Sequence, residues 1–197
     1  MTSSLEGLRQ VITTLQPLTE KEWSDFAECL TIRSFEKGDF LIRQDETENH
    51  VYFLNCGATR NYFIRDGKEF TVDFHFTGEF VTAFYSLITR EPSSIFIEIL
   101  EPTEAVVINY TDLTTFYEQH HRGERIGRRI AEYQYVRRLR KEMDLLSLTA
   151  EERYAQLLQR NPSLVQNLSV KHLSSYLGIQ PESLSRIRRN QIAAGTR

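Results

Sequence analysis

Near the carboxyl end, the stretch SVKHLSSYLGIQPESLSRIRRN (residues 169–190) sets one carboxylate, Glu182, among three guanidinium groups, Arg186, Arg188 and Arg189. Such groups suit recognition by hydrogen bonding more than bond-making. A guanidinium can bond guanine O6 and N7 together, a carboxylate can accept from cytosine N4, and further cations neutralise phosphates. At about 100° per helical residue, Leu184 and Ile187 point one way, while Glu182, Ser185, Arg186 and Arg189 point the other, with Arg188 flanking. The competing reading is an amphipathic surface helix whose charges are only solvated.

Local punctuation supports a recognition unit. Ser169 suits the N-cap of a helix ending at Leu177, Gly178 the left-handed residue that closes it, and Pro181 the first position of a second helix. Two short helices joined by a three-residue turn make a helix-turn-helix. The candidate DNA contacts are therefore Lys171, Gln180, Glu182, Ser183, Ser185, Arg186, Arg188 and Arg189.

Catalytic constellations are not legible. The five histidines form no HxH or HExxH pattern. His120 and His121 are adjacent, so they cannot chelate together from a helix, and a solvated face is expected there. Cys29 and Cys56 lie outside any CxxC and are too few for an iron–sulfur cluster, so both are expected to be structural. A small cupin-like enzyme would need a metal-ligand cluster on its strands. No enzymatic activity, metal or cofactor is expected. No apolar run reaches the ~20 residues of a membrane span, and the N-terminus lacks the plan of a secretory signal; a cytoplasmic protein is expected.

The elements that must position the terminal unit can be read along the 197 residues. Thr19 and Glu22 form a capping box ahead of Trp23, Phe26, Ala27 and Leu30. From residue 31, seven or eight short strands follow, with turns at Lys37–Asp39, Gly57, Asp66–Gly67, Thr77–Glu79 and Glu101–Pro102, as in a sandwich or barrel. A helix-like aromatic stretch, VTAFYSLITREPSS, interrupts them. YTDLTTFYEQHH reads as a helix capped by Thr111 or Asp112. A long helix from about 122 to 148 carries Ile126, Ile130, Tyr133, Val136, Leu139, Met143 and Leu146 on one stripe. That stripe can bury itself on its own β-domain or, the favoured reading, on the same helix of a second subunit. Thr149 and Glu152 box a further helix that Asn161-Pro162 ends.

Charge follows this layout. Residues 1–110 hold 9 Lys/Arg against 18 Asp/Glu, 111–149 hold 8 against 6, and 150–197 hold 7 against 3. An acidic body with a basic end suggests that the end meets an anion.

A β-roll, a long helix and a terminal helix-turn-helix together resemble the Crp/Fnr family of bacterial transcription regulators over nearly the whole chain. The most specific piece is LGIQPESLSRI, where Glu182 and Arg186 match the family's Glu and following Arg, while Pro181 replaces its first Arg. FEKGDFLIRQDETENHVYFLNCGATRNYF is similar to the cyclic-nucleotide-binding β-roll. The resemblance implies an α+β fold: an N-terminal double-stranded β-helix (jelly-roll-like) sensor over 1–120, a dimerisation helix over 121–148, and a C-terminal (winged) helix-turn-helix over 149–197. Any wing would precede the recognition helix, within NLSV.

It also implies a homodimer on double-stranded DNA, with RNA polymerase as a further partner and a small-molecule effector. Ile126, Ile130, Tyr133, Leu139 and Met143 are the dimer-helix candidates. Matching FTGEF to the family's strand turn puts Thr82-Ala83 where cyclic-AMP binders have Gly-Glu, and Ser93-Ser94 where they have Arg-Ser/Thr. Taking Gly78-Glu79 with Arg90 instead needs an insertion. Thr82, Ala83, Phe84, Tyr85, Ser93 and Ser94 thus mark the expected effector pocket, and a cyclic nucleotide bound in the usual way is not expected. Phe80, Phe84, Tyr85 and Leu87 suggest an apolar cavity or a filled core. The alternative to a DNA regulator is a ligand-binding β-roll whose terminal helices dock a protein partner.

Overall fold

The computed structural model describes residues 3–160 and 162–195. Helices α1 (Glu6–Leu15) and α2 (Glu20–Ala27) lead into eight strands: β1 (Leu30–Phe35), β2 (Phe40–Ile42), β3 (His50–Cys56), β4 (Ala58–Arg65), β5 (Lys68–Phe76), β6 (Phe80–Val81), β7 (Phe96–Ile99) and β8 (Thr103–Asn109). Helix α3 (Phe84–Thr89) interrupts them. Then follow α4 (Tyr110–Gln119), α5 (His121–Ser147), α6 (Ala150–Arg160), α7 (Pro162–Asn167), α8 (Val170–Leu177) and α9 (Pro181–Gly195).

The strands form two four-stranded sheets, ordered β1-β8-β3-β6 and β2-β7-β4-β5, and the pairs β1–β8, β8–β3, β3–β6, β2–β7 and β7–β4 are antiparallel. The first sheet is covered on both faces, which explains why VYFL and AVVI read as continuous apolar runs rather than alternating ones. Phe53, Val106 and Ile108 face outward to Leu8, Ile12, Phe26, Leu113, Phe116 and Ile126 from the helices. Tyr52, Leu54, Ala105 and Val107 face inward to Ile42, Val81, Ala83 and Ile97, filling the interior of the roll. Asp66 and Gly67, both at positive φ, make the tight turn of the β4–β5 hairpin. Gly57 is fixed by space as well as by φ +97: a Cβ there would stand 2.1 Å from Thr103 Oγ1.

Contacts divide the chain into two units. One holds residues up to 63 together with 74–134. The other holds the hairpin tip, 64–73, with everything from 135 onward. This differs from a partition by sequence position, because the hairpin tip joins the C-terminal helices.

Both capping boxes form, at Thr19–Glu22 and Thr149–Glu152. Helix α4 is capped by Asn109, whose side chain accepts from Thr111 N at 2.8 Å, and not by Thr111 or Asp112. The Asn side chain reaches the open amide two residues on, and this brings the helix start back to Tyr110. His120 is not solvated as expected: its Nε2 lies 3.2 Å from Asp25 and its ring 4.7 Å from Phe116. His121 is exposed. Asn161 lies outside the described residues, while Pro162 opens α7, using the first-turn position that tolerates proline. Residues 167–170 hold the end of α7, the cap Ser169 and the start of α8, and no strand follows β8 among the described residues. Nor is any described helix long and apolar enough to cross a membrane.

Candidate nucleic-acid interface

The two terminal helices form by the local rules that the sequence displays. Ser169 accepts from His172 N at 3.1 Å and caps α8. At the other end Gly178 adopts φ +66, and Ile179 N turns back to Ser174 O at 3.0 Å, satisfying a carbonyl the helix leaves open. Gln180 then offers its carbonyl to Ser183 N and Leu184 N, and Pro181 begins α9.

Packing decides which face of α9 points out. Leu184 is 0% and Ile187 4% exposed, and Leu173 and Leu177 of α8 are fully buried. Gln180, Glu182, Arg186, Arg189 and Ser185 are all exposed, and Ser183 is half-buried. Ser185 donates to Pro181 O at 3.1 Å. Among the described residues Glu182, Arg186 and Arg189 make no hydrogen bond or ion pair, leaving their donors and acceptors available to a partner. The face is therefore rigidly seated from behind and chemically open in front.

Two expected contacts are placed differently. Arg188 is half-buried and donates to Val165 O at 3.2 Å and Leu168 O at 3.4 Å, so it satisfies the open carbonyls at the end of α7 instead of standing free for phosphate. Lys171 is exposed but pairs with Glu69 of the hairpin at 2.5 Å.

Other positioning groups gave no local signal. Arg153 on α6 donates to Leu148 O at 2.6 Å and Leu177 O at 2.7 Å, bracing the end of α8. Asp73 pairs with Arg137 at 3.1 Å and Lys141 at 3.3 Å. The Lys141 ammonium lies 4.3 Å from the Tyr176 ring, and burial pushes its pKa down while Asp73 opposes that shift. Asp73 is 64 and 68 residues from these two partners in the chain, beyond any spacing rule.

The α5 stripe resolves into two parts. Ile126 is buried and Ile130 packs on the same helical core. Tyr133, Val136, Leu139, Met143 and Leu146 are uncovered, with Leu146 89% exposed. The stripe is thus covered by this chain's own core only over its first two positions.

Within the β-roll, the expected effector residues differ in burial and bonding. Thr82 Oγ1 donates to His50 O at 2.8 Å, and buried Ser93 donates to Ile95 O at 2.9 Å. Ala83 is buried and Ser94 exposed. Phe84 and Tyr85 are 58% and 60% exposed, so neither fills a core; the short α3 buries only its Ser86–Leu87 side. Glu48, missed from sequence, is 2% exposed and accepts from Asn49 N, His50 N and, at 3.4 Å, Ala83 N at the start of α3. Burial pushes its carboxyl pKa up, against the three amides that lower it. Arg90 braces the same loop, donating to Glu48 O at 2.8 Å and Asn49 Oδ1 at 2.5 Å. Glu79 stays in the β5–β6 turn, accepting from Phe76 N at 3.2 Å. Among the described residues, no group of three or more His, Cys, Asp or Glu could hold a metal ion.

Known proteins give this geometry a context. A family model for the cyclic nucleotide-binding domain matches residues 32–120. Transcriptional activator protein Anr of Pseudomonas aeruginosa is 30% identical over 168 residues, covering 79% of this chain and 68% of that protein. A Crp/Fnr-family regulator from Eubacterium rectale superposes with a TM-score of 0.69 at 15% identity, over 90% of this chain and 85% of its own. FixK2 from Bradyrhizobium japonicum does so at 0.66 and 23% identity, over 84% and 86%. With a β-roll ahead of a two-helix reading unit and a relative that aligns through most of both lengths, the chain belongs to the Crp/Fnr family of DNA-binding transcription regulators.

Proposed function

We propose that this chain acts as a homodimer in the cytoplasm, as a regulator and not an enzyme, and that α9 of each subunit enters the major groove of one half-site. The observation that carries the reading is the outward face of α9, with Glu182, Arg186 and Arg189 open on a helix anchored by Leu184 and Ile187. Arg186 reads guanine, Glu182 accepts from cytosine, and Gln180, Ser183 and Ser185 contribute at the margins. Arg189 and Lys171 supply phosphate contacts. The exposed α5 segment carrying Tyr133, Val136, Leu139, Met143 and Leu146 pairs the subunits, since a stripe of this size would otherwise be left in water. Half-sites then fall about one helical turn apart. RNA polymerase is the further partner of such a regulator.

The β-roll input is not a cyclic nucleotide bound in the usual way. The roll interior is packed with apolar side chains, and a cyclic phosphate approaching the start of α3 would meet the Glu48 carboxylate. An effector, where one acts, works by biasing two orientations of the reading unit.

Selection of bound duplexes from a random pool, at two salt concentrations and with or without cyclic nucleotides, tests the proposal. Enrichment of a two-fold repeated site, with affinity falling steeply in salt, is expected. A pool that stays random, or enrichment that requires cyclic AMP, would overturn the corresponding part.

A further inference from the structure

The hairpin tip makes specific bonds to the α8–α9 unit. Among the described strands β5 lies at the edge of its sheet, where side chains can meet backbone N–H and C=O groups in place of a neighbouring strand. Ser175 of α8 does so with its hydroxyl, accepting from Thr71 N at 2.8 Å and donating to Glu69 O at 2.9 Å. Beside it, Glu69 Oε1 stands 2.5 Å from Lys171 Nζ. Asp73, two residues beyond Thr71, engages Arg137 and Lys141, and Lys141 lies over Tyr176.

The α8 residues involved in these contacts, Lys171, Ser175 and Tyr176, together with His172, whose carbonyl accepts from Thr71 Oγ1, are spaced to share one helix face. Leu173, Ser174 and Leu177 are the buried ones, and they lie on the other side. The face the hairpin takes is thus the one that α8 does not use to pack on α9. In a helix-turn-helix the first helix crosses the nucleic-acid backbone, and Lys171 is the one Lys or Arg of α8.

We propose that the β4–β5 hairpin tip is an internal competitor for the DNA backbone, with the Glu69 carboxylate occupying Lys171 in place of a phosphate. The device rests on the reading of α8 and α9 as the DNA-binding pair. Bound DNA takes Lys171 from Glu69, and any event that holds the hairpin on α8 lowers affinity for every sequence alike, because a phosphate contact carries no base information.

The test uses the full chain and fluorescence anisotropy, on one duplex selected from the pool and one scrambled duplex. Glu69→Gln keeps the shape of the side chain and removes its charge. Asp66→Asn removes a charge from the same turn without touching Lys171, which controls for long-range repulsion. A half-exposed ion pair corresponds to roughly a two- to five-fold effect per subunit, so Glu69→Gln should tighten binding of the dimer to both duplexes by about the square of that factor beyond Asp66→Asn. In a Lys171→Gln background, which itself flattens the salt dependence by about two phosphate contacts, one per subunit, the gain from Glu69→Gln should vanish. A Glu69→Gln gain no larger than that of Asp66→Asn, or one undiminished without Lys171, overturns the competitor. If the unaltered chain binds neither duplex, the DNA reading itself fails.

Discussion

Truncating Arg186 separates reading from folding. The side chain is exposed and makes no hydrogen bond or ion pair among the described residues, so Arg186→Ala removes nothing that holds the protein together. Its thermal transition should therefore stay within about 0.5 kcal/mol of the parent. On DNA the loss is concentrated. One bidentate arginine–guanine pair discriminates by roughly 1–3 kcal/mol, or about 5- to 150-fold at 1.4 kcal/mol per decade. Both subunits carry the change, so a duplex with two intact half-sites loses about twice that free energy. The assay is a titration of the selected duplex against duplexes substituted at one symmetric base pair at a time. Arg186→Ala should erase the penalty at one position and leave the others. Arg189→Ala should instead weaken all duplexes together and reduce the salt slope by about 1.8, about 0.9 for each subunit. If the arginine-186 variant keeps the full penalty at every position, the outward face of α9 does not read bases, and the role assigned to it is wrong.

Three further outcomes follow from packing and charge. Leu184 is 0% exposed, so Leu184→Ala should cost about 2–5 kcal/mol of stability, seen as a large drop in denaturation midpoint together with loss of all DNA binding. Replacing Leu139 and Met143 by Glu sets charges on the uncovered α5 stripe, and sedimentation should show the dimer dissociating while far-UV helicity is kept. The Glu22 carboxyl is lowered from 4.5 to about 2, chiefly by the Thr19 amide, with the Thr19 hydroxyl and Arg122 assisting. A lowered carboxyl stabilises the fold above its unfolded pKa and loses that contribution as pH falls through the folded one. Glu22→Gln should thus melt below the parent at neutral pH and converge with it between pH 4.5 and about 2; a gap constant across that window refutes the assignment.

What the sequence makes legible is what neighbours in the chain decide. Both capping boxes, the Asp66-Gly67 turn and the Ser169–Gly178–Pro181 punctuation involve groups within a few residues of one another, and all are found where spacing puts them. The α9 wheel works for the same reason: helical geometry alone sends Leu184 and Ile187 one way and Arg186 the other. The rest needs tertiary placement. Arg188 resembles its neighbours until α7 supplies two open carbonyls beneath it. Phe84 and Tyr85 look like core, yet a six-residue helix has only one side to bury. Glu48 carries no motif and matters because it is buried against an amide from a residue 35 positions away. The hairpin contacts to Ser175 and Lys171 span more than 100 residues, and no periodicity encodes them.

The central claim, that α9 lies in the major groove, is tested most directly by tethered cleavage. A hydroxyl-radical source attached at Ser185→Cys, in a background with the exposed Cys56 replaced by Ser, places the reagent on the outward face of α9. On the selected duplex the strands should be cut in two clusters, one in each half-site, centred about one helical turn apart. Cutting spread evenly along the duplex, or none above that of the untethered reagent, would contradict it.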